Sequence, residues 1–224
     1  MTDKVLPFCA ILTAILIAAG LYYALYASPA DYQQGESVRI MYIHVPSAWM
    51  ALGIYTFIAM VSAASLIWKN PLSDMIAISA APIGAAFTFI CLVTGSLWGK
   101  PTWGTWWVWD ARLTSVLILF FFYLGYMALY NAYDDRVRAG KTAAVLALVG
   151  FINVPIVKFS VDWWNTLHQP ASIMRKGGIS IDASMMVPLV LMFLGFSSFF
   201  ITVLILRIKT EILLRKQERL QLGQ

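Results

Sequence analysis

The sequence predicts an all-α integral membrane protein of about six transmembrane helices, with a tryptophan-rich loop and short amphipathic helices on the outer face. Three observations carry that prediction. The 224 residues are 60% hydrophobic and only 12% charged, with a mean hydropathy of +0.75, far from the composition of a soluble domain. Apolar runs of roughly the 20 residues needed to cross a bilayer core recur about six times along the chain. Nothing alternates as barrel strands do, and no backbone amide goes unpaired in lipid, so each run is read as a helix.

The first run, 7–27, follows a single lysine, Lys4. Its apolar part is too long for a signal peptide and no small-x-small cleavage site follows cleanly, so it reads as a helix. The runs at 43–68 and 72–97 are joined by the short turn "WKNPLSD", and those at 113–133 and 142–158 by "NAYDDRVRAGK", a solvated connector of mixed charge. The run at 142–158 is the shortest. The last, 183–207, continues as a helix into the tail 208–224, where "RIKTEILLRKQERL" places Glu211 and Arg215 four apart in a solvated role. Residues 1–224 therefore form a single polytopic membrane domain with no room for a soluble one.

Orientation follows from counting Lys and Arg by side. With a cytoplasmic N-terminus that side holds ten of them and the other six, which favours both termini inside. The net charge of +5 suits anionic lipid headgroups and needs no nucleic acid. Cys9 and Cys91 fall in different spans, too far apart for a disulfide, and the absence of C-x-x-C excludes a thiol redox motif. No ionisable residue sits near the middle of any span, so autonomous ion-coupled pumping is not expected. "GSLWGKP" is one residue short of a phosphate-binding loop and has Pro101 where Ser or Thr belongs.

The outer loops, at about 28–42, 98–112 and 159–182, are longer than a turn requires and rich in aromatics. In the second, residues 98–112, Pro101 suits the first turn of a short helix, which would put Trp103, Trp106, Trp107 and Asp110 on one face. In the third, "FSVDWWNTLHQPAS", Trp164 and His168 share a face if helical, before Pro170 stops the turn. Five of the nine tryptophans lie between Trp98 and Trp109, and Trp49, Trp163 and Trp164 also fall on the outer half. An interfacial aromatic belt would spread over both leaflets; only Trp68 fits that description. Asp110 reads as an N-cap for the span that follows, with a further local hydrogen bond.

The two histidines, His44 in "YIHVPSAW" and His168, both fall at the outer surface close to tryptophans. A plate of indoles beside two imidazoles and several cations suits a broad aromatic ligand with a metal at its centre and negative charge at its edge, namely haem. Indoles stack on the porphyrin, a histidine nitrogen coordinates the iron, and Arg112, Lys100, Arg39, Arg175 and Lys176 are available to the propionates. Aromatic contacts contribute about 0.5–1.5 kcal/mol each beyond area burial. Four or five of them give roughly 2–7 kcal/mol against the roughly 8 kcal/mol of a micromolar site, and burial of porphyrin area adds several more, so the histidines are expected to orient the iron and set its redox state more than to supply affinity.

The stretch "WGTWWVWDARLTS", Trp103–Ser115, resembles the WWD signature of haem-handling membrane proteins. With its span count and one histidine in each flanking outer loop, the whole chain is similar to the CcmC family, the haem exporter proteins C of bacterial cytochrome c maturation system I. The resemblance implies a protein that is not an enzyme and that holds haem b (iron protoporphyrin IX) at the periplasmic face for the haem chaperone CcmE. It implies partnership with the ATP-binding cassette proteins CcmA and CcmB and with CcmD, axial ligation by His44 and His168, and a platform of Trp103, Trp106, Trp107, Trp109 and Asp110. Two other readings compete. Oligosaccharyltransferases carry a Trp-Trp-Asp element, but theirs continues Tyr-Gly and sits in a far longer chain with acidic metal motifs. A scaffold would use the outer tryptophans to dock partners without haem, since Trp and Arg dominate interface hot spots.

Overall fold

The computed structural model describes residues 2–169, 173, 178 and 181–222. Helix α1 spans Thr2–Tyr22 and loosens into a wider turn at Tyr23–Ala27, and a tight turn at Glu36–Ile40 leads into α2, Met41–Trp68. Then follow α3 (Pro71–Trp103), α4 (Ala111–Asn131), α5 (Arg136–Phe151), α6 (Asn153–Trp163) and α7 (Ala183–Leu222). Six of the resulting helical rods are long and apolar enough to cross a membrane, α5 and α6 together making one of them. The described residues contain no strand. The chain is thus an all-α, multi-pass membrane protein.

The α5–α6 rod, Arg136–Trp163, is longer than the run at 142–158 because it breaks without ending. Pro155 has no N–H to offer the carbonyl of Phe151, so the helix interrupts at Ile152. Buried Asn153 holds the break against α4, its Nδ2 donating to Ser115 O at 2.8 Å.

Helix α2 packs along α3, α4 packs on α3 and α5, and α1 lies against α7. Lipid supplies no hydrophobic drive between helices, so close packing and polar contacts hold them. At the α1–α7 seam Gly20 leaves room for Met192 and Gly195 for Ile17, and Thr13 Oγ1 donates to Ser198 Oγ at 2.8 Å. The centre of the bundle is filled by Ile54, Tyr55, Leu119, Tyr123 and Tyr126, all essentially inaccessible. Tyr123 donates to Ala51 O at 2.7 Å and meets Tyr55 edge-on.

At the end carrying both termini, α7 runs on past the apolar stretch. Arg215 Nε donates to Glu211 Oε1 at 2.9 Å, and its Nη2 donates to Tyr130 Oη of α4 at 2.7 Å. The pair expected to be merely solvated therefore also anchors the tail to the bundle.

Candidate functional site

The opposite end is built differently from the sequence expectation. No separate helix begins at Pro101: α3 continues through it to Trp103 and ends at Gly104, whose φ of +76° favours glycine. Trp106, Trp107 and Asp110 therefore lie on an extended loop, 104–110, and not on one helical face. Their helical spacing is coincidental. Likewise α6 stops at Trp163, and Trp164 is extended, so Trp164 and His168 are not a helical pair. Pro170, Arg175 and Lys176 lie outside the described residues.

Asp110 joins the two loops. Its Oδ1 accepts from Leu113 N at 2.8 Å, capping α4, and its Oδ2 accepts from Leu167 N at 3.3 Å. That second bond fastens the segment immediately before His168.

Between these loops and the ends of α2, α3 and α4 lies a partly open cavity. Its wall includes His44, Trp98, Trp103, Trp107, Arg112 and His168. His44 is 8% exposed, one turn into α2. Its Nδ1 lies 3.1 Å from Cys91 O and 3.1 Å from Thr94 Oγ1. A carbonyl only accepts, so Nδ1 carries the proton. Gly95 makes space for the ring: a Cβ there would sit 3.0 Å from His44 Cε1. His168 repeats the device, with Nδ1 2.9 Å from Gln169 O. Nε2 of each ring is left without a hydrogen bond among the described residues. The ring centroids are 6.4 Å apart, with planes inclined by 34°. Burial holds the His168 imidazole below its ordinary pKa; the Gln169 carbonyl opposes this and the Arg112 charge adds to it.

Trp98 meets His44 edge-on at 5.7 Å and is fixed by Nε1 donating to Gln34 Oε1 at 2.7 Å. Trp103 lies 6.1 Å from His168; Gly99 permits this fold, since a Cβ there would press on the Trp103 ring. Arg112, in the first turn of α4, donates from Nε to Ser160 Oγ at 2.7 Å, which sets its guanidinium in the wall.

The remaining predicted residues stand off this wall. Trp49 packs edge-on against Phe193 of α7, and Trp163 stacks on Phe159, with Trp164 edge-on to it. Trp106 is 54% exposed with the Lys100 ammonium 5.8 Å from its ring, and Lys100 donates to Gly104 O. Trp109 is 76% exposed and meets Trp107 edge-on. Arg39 is spent on the carbonyls of Ala24 and Ser28 and on Glu36. Gln34, Thr94, Gly95 and Ser160 support the site without having been singled out from sequence.

A multi-pass membrane bundle with two backbone-oriented imidazoles in a tryptophan-walled cavity at one end is the class of protein defined here. Its family follows from comparison with known proteins. The family profile of CcmC, heme exporter protein C, matches residues 1–223. Heme exporter protein C of Bradyrhizobium diazoefficiens is 56% identical over all of this chain and 85% of its own length. Those of Haemophilus influenzae and Escherichia coli K12 are 48% and 47% identical, each over 96% of this chain and 88% and 86% of their own lengths. The chain belongs to the CcmC family.

Proposed function

We propose that this chain binds haem b between His44 and His168 and presents it on the periplasmic side of a bacterial inner membrane, with both termini cytoplasmic. In this reading it takes part in haem export for cytochrome c maturation and is not itself an enzyme. It hands its cargo to CcmE and works beside CcmA, CcmB and CcmD. The heme exporter names of its relatives support the role.

The observation that carries the binding site is the pair of imidazoles. Metal-ligating histidines donate their other ring N–H to a carbonyl or carboxylate, which frees the remaining nitrogen's lone pair for the metal; here both Nδ1 atoms are so engaged. Both rings line the same cavity with centroids 6.4 Å apart, so a single metal held between them would be within reach of both. Trp98, Trp103 and Trp107 supply aromatic surface around the pair, and Arg112 brings several guanidinium N–H donors suited to a propionate. Haem, when bound, would be held by His44 and His168 and would supply a redox-active iron. The test is the visible spectrum of the purified chain. We expect a Soret band that moves in both His44→Ala and His168→Ala. A colourless protein from haem-replete cells that still captured its partners would instead favour the scaffold reading.

A further inference from the structure

Resting on the haem reading of the cavity, we infer that the tetrapyrrole passes between cavity and bilayer sideways, through an apolar groove between α3 and α4 for which Trp107 is the door. The groove shares Leu92, Ser96 and Trp107 with the cavity, so the two are neighbours across a single layer of side chains. On its outer side lie Val93 and Leu97 of α3 and Leu117 of α4, with Trp109 at its rim. Val93, Leu97 and Trp109 are exposed, and they lie on or beside spans that cross the membrane. An apolar surface of this kind faces acyl chains without penalty.

Two further features single out this path. The cavity is closed below: Ala51, Leu119 and Val157 line its lower wall, and Ile54, Tyr55 and Tyr123 are packed without accessible surface in the same core. A planar ligand therefore has no way down through the bundle. Trp107, which stands in both walls, has a buried Nε1 with no hydrogen-bond partner among the described residues. Trp98 is tethered through its indole nitrogen to Gln34; Trp107 is held by packing alone at that position. An indole lacking such a tether gives up no hydrogen bond when it swings. Haem, with its apolar macrocycle and charged edge, would travel ring-first through the groove while its propionates stay near the headgroups.

The test uses the full-length protein in lipid nanodiscs and two haem donors. One is haem dissolved in phosphatidylcholine–phosphatidylglycerol vesicles; the other is a haem peptide too polar to partition into lipid, which is therefore confined to the aqueous route. Val93→Cys is coupled to a bulky methanethiosulfonate reagent, with wild type treated alike as control because native Cys91 is buried and Cys9 half-buried. The adduct should slow capture from vesicles roughly tenfold, leave capture of the haem peptide within about twofold, and be reversed by thiol. Reversal in the same sample shows that folding was intact, and Leu117→Trp should reproduce the effect. An adduct that slows neither donor, or both equally, overturns the portal while leaving the haem site standing. A protein that takes up haem from neither donor overturns the site and the portal together.

Discussion

Replacing Asp110 separates capping from ligand positioning. Its two oxygens do different things, one capping α4 through Leu113 N and the other holding Leu167 N beside His168. Asp110→Ala removes both. Loss of an N-cap costs about 0.5–2 kcal/mol, and loss of a second hydrogen bond to a charged acceptor costs about 1.5 kcal/mol or more. Asp110→Asn retains one acceptor oxygen. The shorter cap contact, 2.8 Å against 3.3 Å, should keep it, so the tether to the His168 loop is what this variant gives up. A penalty of about 1.5 kcal/mol on the loop corresponds to haem affinity weakened roughly thirteenfold at unchanged helix stability. The assay is a haem titration followed at the Soret band, paired with thermal unfolding of the ligand-free protein in detergent. Asp110→Asn should weaken haem binding and barely move the midpoint, whereas Asp110→Ala should lower both. An Asn variant with wild-type affinity and spectrum would refute the tether; one as unstable as the Ala variant would refute the assignment of oxygens.

Other substitutions probe the remaining walls. Gly95→Ala puts a Cβ 3.0 Å from His44 Cε1, so the ring must tilt. We expect a displaced Soret maximum and at most about 1–3 kcal/mol of overpacking, and an unchanged spectrum would contradict the close fit. Arg112→Gln should weaken haem binding while leaving the band position alone, whereas Lys100→Gln should do little, because Lys100 is exposed and engaged with Gly104 and Trp106; haem titrations of both variants decide this. The depressed pKa of His168 keeps its ring neutral as pH falls through about 6.5, the ordinary histidine value. Ligation should therefore persist below that value and fail only as pH drops through the lower folded one, which a Soret titration follows. Between those two values the unfolded chain takes up a proton that the folded chain refuses, so the stability of the haem-free protein should decline with falling pH and then level off.

The spans were legible because a bilayer imposes a length and an apolar composition that few other structures share. The pairing of His44 with His168 was legible for another reason: the chain has two histidines, both beside tryptophans at one surface. The arrangement of those tryptophans was not. Their spacing imitates a helix, and what breaks the imitation is backbone conformation: Gly104 turns left-handed and Asp110 caps the next helix, leaving 104–110 as loop. Arg39 illustrates a different blindness. The wider turn at Tyr23–Ala27 sits where the carbonyls of Ala24 and Ser28 take its guanidinium, and no residue pattern announces that. Gly95 and Gly99 matter through the side chains of His44 and Trp103, contacts that exist only once the chain has folded.

Helix α7 holds a mechanical consequence. Its 40 residues make a rod about 60 Å long, about twice the thickness of a hydrocarbon core. The surplus is a stiff mast, stayed to α4 where Arg215 meets Tyr130. A pivot of about 10° at that stay would sweep a tip some 10 Å beyond it by nearly 2 Å. Whatever grasps the tip thereby gains leverage on the whole bundle.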